Sequence, residues 1–89
     1  MGSYDQNHAT SASTSTGGGV TTGSIGYTDD AGNTQLAYST DATICSYIKS
    51  IVEAWSRGDS IKFTFETEIV NGTNTIKTLQ LHAEKPGDE

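Results

Sequence analysis

Few side chains in this chain are able to do chemistry. There is one thiol, Cys45, two imidazoles, His8 and His82, and two carboxylates at i,i+2 spacing, Glu66 and Glu68. A thiol nucleophile needs a base within hydrogen-bond reach. His8 lies far before Cys45 and His82 falls in the last apolar segment, so Cys45 reads as a buried or half-buried structural thiol. A single cysteine also excludes an internal disulfide and a cysteine-based metal site. Glu66 and Glu68 would share one face of a strand. An acid–base pair requires surroundings that drive its two pKa values apart, and the sequence around these two offers only solvent-facing polar residues. Asp29-Asp30-Ala31-Gly32-Asn33 gathers acids and a glycine but lacks the alternate spacing and distant Glu of a calcium loop, so it reads as a turn. Gly17-Gly18-Gly19 neither follows an apolar strand nor opens a helix, as a phosphate loop must. No catalytic residue, cofactor site or metal site is expected, and the chain does not read as an enzyme.

The composition narrows the partners. The chain has 89 residues, enough for one small domain, and 33% of them are hydrophobic. Its formal charge is −6 and its isoelectric point about 4.6. Nucleic acid and anionic membranes both draw on positive charge, so neither is an expected partner. The N-terminus has no basic start followed by an apolar stretch, so no signal peptide is expected, and no apolar run is long enough to span a membrane. The expected location is cytoplasmic, or the virion if the protein is viral.

Residues 1–23 hold few large apolar side chains, chiefly Tyr4 and Val20, among Ser, Thr and Gly. Such a segment buries too little surface to offset the entropy of ordering it, and it reads as a flexible arm. Residues 24–85 hold the apolar pattern, and residues 86–89 read as an acidic tail. Within the domain, Ile25 and Tyr27 alternate before the Asp29–Asn33 turn, and Leu36 and Tyr38 alternate after it. Setting Tyr27 opposite Leu36 and Ile25 opposite Tyr38 closes a four-residue loop, 30–33, and puts all four on one face.

A helix follows. Ser39, Thr40 and Asp41 are N-cap candidates, Asp41 suits the positive end of the helix dipole, and Ile44, Ile48, Ile51 and Trp55 recur at helical spacing. Lys49, Glu53 and Arg57 are spaced for i,i+4 ion pairs, and Gly58 is the expected stop. In the second hairpin, Ile61, Phe63, Phe65 and Ile69 alternate up to Asn71-Gly72, the strongest short turn signal. A two-residue turn there sets Val70 opposite Thr73 and turns Ile76 inward, but throws Leu79 and Leu81 outward. One extra residue near Lys77-Thr78 repairs the pattern: Phe65 then faces Leu79, Phe63 faces Leu81 and Ile61 faces Ala83. A β-bulge is predicted there; a three-residue loop, Asn71-Gly72-Thr73, gives the same later pairings but leaves Ile76 on the polar face.

Two hairpins joined by an amphipathic helix predict an α+β, two-layer sandwich, with one helix on a four-stranded sheet in ββαββ order. The first and last strands would lie parallel in the middle. This element order resembles that of the immunoglobulin-binding domains of the protein G type, a β-grasp arrangement. The resemblance is confined to element order, no residues match, and no function is carried over.

The predicted outer sheet face holds Thr28, Gln35, Lys62, Thr64, Glu66, Glu68, Thr78, Gln80 and His82, with no aromatic on which a base could stack. The remaining reading is a small non-catalytic interaction or assembly module with a protein partner or a second copy of itself. Its candidate contacts are Tyr4, Trp55, His82, Glu66 and Glu68, with exposed strand edges as further docking sites. The alternative is a small acidic inhibitor or charge mimic, of the kind phages and mobile elements encode, binding a basic protein surface.

Overall fold

The computed structural model describes residues 2–82 as a six-stranded mixed sheet carrying one helix. In chain order the elements are β1 (Gly2–Asp5), β2 (Ala9–Gly17), β3 (Val20–Thr28), β4 (Thr34–Ser39), α1 (Ala42–Ser56), β5 (Lys62–Val70) and β6 (Thr73–His82). Across the sheet the order is β1-β5-β6-β4-β3-β2. The expected four-stranded ββαββ arrangement is overturned in two respects. Two further strands are present, and β6 runs parallel beside β4, with Tyr38 opposite Thr75. A β-grasp order would have set β6 beside β3.

The extra strands come from the segment expected to be a flexible arm. Gly18 and Gly19 both adopt positive φ, 58° and 82°. They close a two-residue turn between Gly17 and Val20, the geometry that matches strand twist and favours glycine. The Ser/Thr residues before it then have a partner strand. Backbone ladder bonds do not depend on large side chains. Cross-strand hydroxyl pairs add to them: Ser13 to Ser24 at 2.9 Å and Thr16 to Thr21 at 2.8 Å.

The first hairpin differs from expectation by one residue. Thr28 pairs with Thr34, so the loop runs over five residues, 29–33. Asp29 holds it: its Oδ1 accepts from the amides of Ala31 and Asn33, and its Oδ2 from Gln35 Nε2. Tyr27 therefore faces Gln35 and Ile25 faces Ala37. A one-residue slip sends every side chain to the other face: Ala37 is buried, whereas Leu36 and Tyr38 are exposed on the outer face. That face thus carries an aromatic, contrary to expectation, and Gln35 belongs to the inner face beside Tyr27.

The helix and second hairpin follow the sequence closely. Asp41 Oδ1 accepts from the Ile44 amide at 3.0 Å. Gly58 (φ 80°) ends α1, with Gly58 N donating to Trp55 O and Asp59 N to Ala54 O, a Schellman pairing. Asn71-Gly72 turns the chain with Val70 opposite Thr73. Glu66 faces Thr78 while Thr67 faces Ile76, so Lys77 is the extra residue of a bulge. Phe65 faces Leu79 and Phe63 faces Leu81, as predicted. The predicted partner of Ile61, Ala83, and the 86–89 tail lie outside the described residues. Ile69 departs from its predicted inward role: it stands near the hairpin tip, 61% exposed, where no element covers the sheet.

The core lies between the inner sheet face (Ile25, Tyr27, Ala37, Phe63, Phe65, Ile76 and Leu79) and Ile44, Ile48 and Ile51 of α1. A glycine sets how closely the layers approach. A Cβ at Gly23 would lie 2.7 Å from Ile48 Cδ1 and 3.6 Å from Cys45 Cα.

The sheet also curls. β1 and β2 are its outermost strands, yet only residues 6–8 join them. The chain from Asp5 to Ala9 can span about 14 Å at most, whereas the edges of a flat six-stranded sheet would stand about 24 Å apart. The edges meet at this corner, where Thr28 N donates to His8 O at 2.8 Å and Phe63 N to Gln6 Oε1 at 3.3 Å.

Candidate interaction surface

The five residues read from the sequence as partner contacts are placed on two faces. Tyr4 is half-buried on β1, its ring 4.7 Å from Tyr27, 5.2 Å from His8 and 5.6 Å from Phe65. Burial first, and then the charges of Tyr27, Asp30 and Asp29, push its phenol above the usual tyrosine range. Trp55 is half-buried on α1 with its ring 6.1 Å from Phe63. Both are part of the core's margin. Glu66, Glu68 and His82 are on the outer face. Glu66 accepts from Thr78 Oγ1 at 3.0 Å, and His82 Nε2 lies 3.1 Å from Thr64 Oγ1, with His82 opposite Lys62 in the ladder. The five thus form no single cluster.

The chemistry-bearing groups are dispersed in the same way. Cys45 is buried, its thiol donating to Ser39 O at 3.3 Å and Thr21 O at 3.6 Å. His8 sits 3.4 Å from Asp5 and 3.6 Å from Asp30, bracing the corner where the sheet edges meet. Among the described residues, no group of three or more His, Cys, Asp or Glu is placed to hold a metal ion. No helix there is long and apolar enough to cross a membrane. A concavity of about 320 Å³ near the corner is lined by Tyr4, Tyr27, Asp29, Gln35, Ile69 and Asn74. Its one carboxylate is already engaged. Hydrogen bonds from the Asn33 amide, then the Gln35 side chain and the Ala31 and Gly32 amides, hold Asp29 below the usual carboxylate range.

What remains is the sheet edge formed by β2. It is nine residues long, Ala9 to Gly17, and contains no charged residue and no proline. A register shift between Ala9 and Ser11 bulges its first end, leaving Ser11–Gly17 in regular pairing with β3. In a two-residue hairpin the closing pair, here Gly17 and Val20, is hydrogen-bonded, and the pattern alternates along the strand. Ala12, Thr14 and Thr16 then turn their N–H and C=O groups away from β3, toward the open side. The opposite edge, β1, is four residues long and ends in a charge, Asp5.

Beside β2, on the helix-covered face, lies a groove of about 300 Å³. Thr14, Thr16 and Thr21 line its sheet side, and Ala42, Cys45, Ser46 and Lys49 its helix side. Lys49 is exposed and has no ion-pair partner among the described residues. The expected Lys49–Glu53–Arg57 ladder is absent, and Arg57 pairs instead with Asp59 at 2.9 Å. Sequence reasoning missed this surface because a Ser/Thr strand carries no apolar signal. The Gly18-Gly19 pair flanked by β-branched residues was the cue that would have exposed it.

No protein family, curated protein or solved structure matches the chain.

Proposed function

We propose that this protein is a small non-catalytic interaction or assembly module that captures an extended segment of a partner protein along the open edge of β2. One observation carries the reading: a long, regular edge strand without charge or proline. Unpaired edges are templates for another chain, and folded proteins ordinarily blunt them with lysine, proline, short length or a covering element. Here only the first end is blunted, by the bulge at Thr10. Strand addition draws its affinity from main-chain hydrogen bonds, which the outward groups of Ala12, Thr14 and Thr16 supply. Among the described residues the acidic side chains are scattered over the corner, the first-hairpin loop, the helix ends and the outer face, so no concentrated acidic surface there supports a charge-mimic reading.

The test is binding of a fluorescent alternating Thr/Val peptide, followed by anisotropy. Wild-type protein should bind, with affinity little changed between low and high salt. Thr14→Pro removes one outward N–H without touching the β2–β3 ladder and should abolish binding, as should Ser13→Lys combined with Ser15→Lys on the outer face. Unchanged binding by these variants would refute the reading. Binding that collapses with salt would favour charge recognition instead. Sedimentation of the protein alone reports whether a second copy competes for the same edge.

A further inference from the structure

We infer that the segment captured on β2 carries a carboxylate side chain, which lies under α1 beside Lys49. The inference rests on strand addition at β2 and names the chemistry of the partner. Side chains alternate across a sheet, so every second residue of an added strand falls on the helix-covered face, next to Thr14 and Thr16. Ala42, Ser46 and Lys49 stand at i, i+4 and i+7, along one flank of α1, and that flank lines the groove beside the β2 edge. The added side chains enter this groove.

Its lining is hydroxyl, methyl and thiol except for Lys49. The Cys45 thiol already donates to Ser39 O and Thr21 O. Lys49 is therefore the one charge in the groove, a cation on a protein of net charge −6, without a partner carboxylate among the described residues. A second copy of β2 would satisfy the edge but not this charge, because Ala9–Gly17 contains no acid. Charge complementarity thus favours a different chain, one with Asp or Glu at an inward position and small or β-branched residues at the neighbouring inward positions. At physiological salt the Debye length is about 8 Å, so carboxylates farther away are largely screened, and Glu53, one turn on from Lys49, does not line the groove.

The experiment uses three forms of the alternating Thr/Val peptide, with Glu, Gln or Lys at one central inward position, on the full-length protein. The Glu peptide should bind about two- to five-fold more tightly than the Gln peptide, the range expected of a solvent-accessible ion pair, and the Lys peptide should bind most weakly. Lys49→Gln should remove the Glu preference, so that the Glu and Gln peptides bind alike, with the helical circular dichroism of wild type. A Glu preference that survives Lys49→Gln, or equal binding of all three peptides to wild type, overturns the inference and leaves strand addition standing. Failure of every peptide to bind overturns both.

Discussion

The side-chain amide of Asn74 on β6 reaches past β4 and donates to the Tyr27 hydroxyl on β3 at 2.7 Å. The same nitrogen donates to Leu36 O on β4 at 3.0 Å. One residue thereby ties three adjacent strands across the parallel junction, where direct ladder pairing is confined to Tyr38 and Thr75.

Removing this amide should be costly out of proportion to its size. Asn74→Ala leaves the hydroxyl of buried Tyr27 without its donor, a loss of about 1–3 kcal/mol, and should lower the melting temperature by roughly 4–8 °C per kcal/mol. Adding Tyr27→Phe to Asn74→Ala removes the orphaned hydroxyl and should restore part of the loss. A double variant no more stable than Asn74→Ala would show that the two groups are not coupled.

The bulge makes a sharper demand. Deleting Lys77 converts β6 to a regular partner of β5 and forces either Ile76 or the Leu79/Leu81 pair to the outer face. Each large side chain exposed forfeits about 1.5–3 kcal/mol, so the deletion variant should lose its cooperative thermal transition, whereas Lys77→Ala should melt as wild type does. A deletion variant that melts like wild type would mean that the extra residue is dispensable.

These two cases mark what the sequence makes legible. Periodicity left two ways to turn Leu79 and Leu81 inward, a bulge or a three-residue loop, and only the bulge also turns Ile76 inward, where the structure buries it. The helix was plain in its apolar stripe and its stop at Gly58, and Asp41 was one of three N-cap candidates. The first hairpin was not, because its register is set by the Asp29 carboxylate enlarging the loop by one residue, which no apolar pattern records. β2 was missed for a related reason: its order comes from backbone pairing after the Gly18-Gly19 turn, and its side chains carry little hydrophobic signal. The placement of β6 beside β4 depends on the crossover through α1, which element order leaves open. Of the interaction surface, the sequence indicated strand edges as docking sites but not which edge, nor Lys49 beside it.

Acidification should test the Asp29 loop. Hydrogen bonds in the folded state hold this carboxyl below its ordinary value of 3.8. Its stabilising contribution is therefore complete above the unfolded value and is lost as pH falls from 3.8 through the lower folded value. Wild-type stability, measured by urea unfolding, should decline more steeply in that window than that of Asp29→Asn. Parallel declines would show that Asp29 contributes nothing to the linkage.

Layer spacing should be sensitive at Gly23. A methyl there meets Ile48 Cδ1 at 2.7 Å and Cys45 Sγ at 3.4 Å, so Gly23→Ala should destabilise by about 1–3 kcal/mol through overpacking. Trimming Ile48 to Val in the same chain should relieve part of that cost, as read by chemical denaturation. Gly26→Ala, whose methyl would meet the Ser11 hydroxyl on the outer face, should cost less because that hydroxyl can rotate away.

The central claim is that β2 is the strand at which a partner adds. Amide hydrogen exchange, resolved by residue with and without saturating Glu-containing Thr/Val peptide, reads this directly. The amides of Ala12, Thr14 and Thr16 should exchange freely in the unbound protein and become protected on binding, while those of β1 and the outer-face loops stay unchanged. Protection that arises on β1, or on no strand edge at all, would contradict the account.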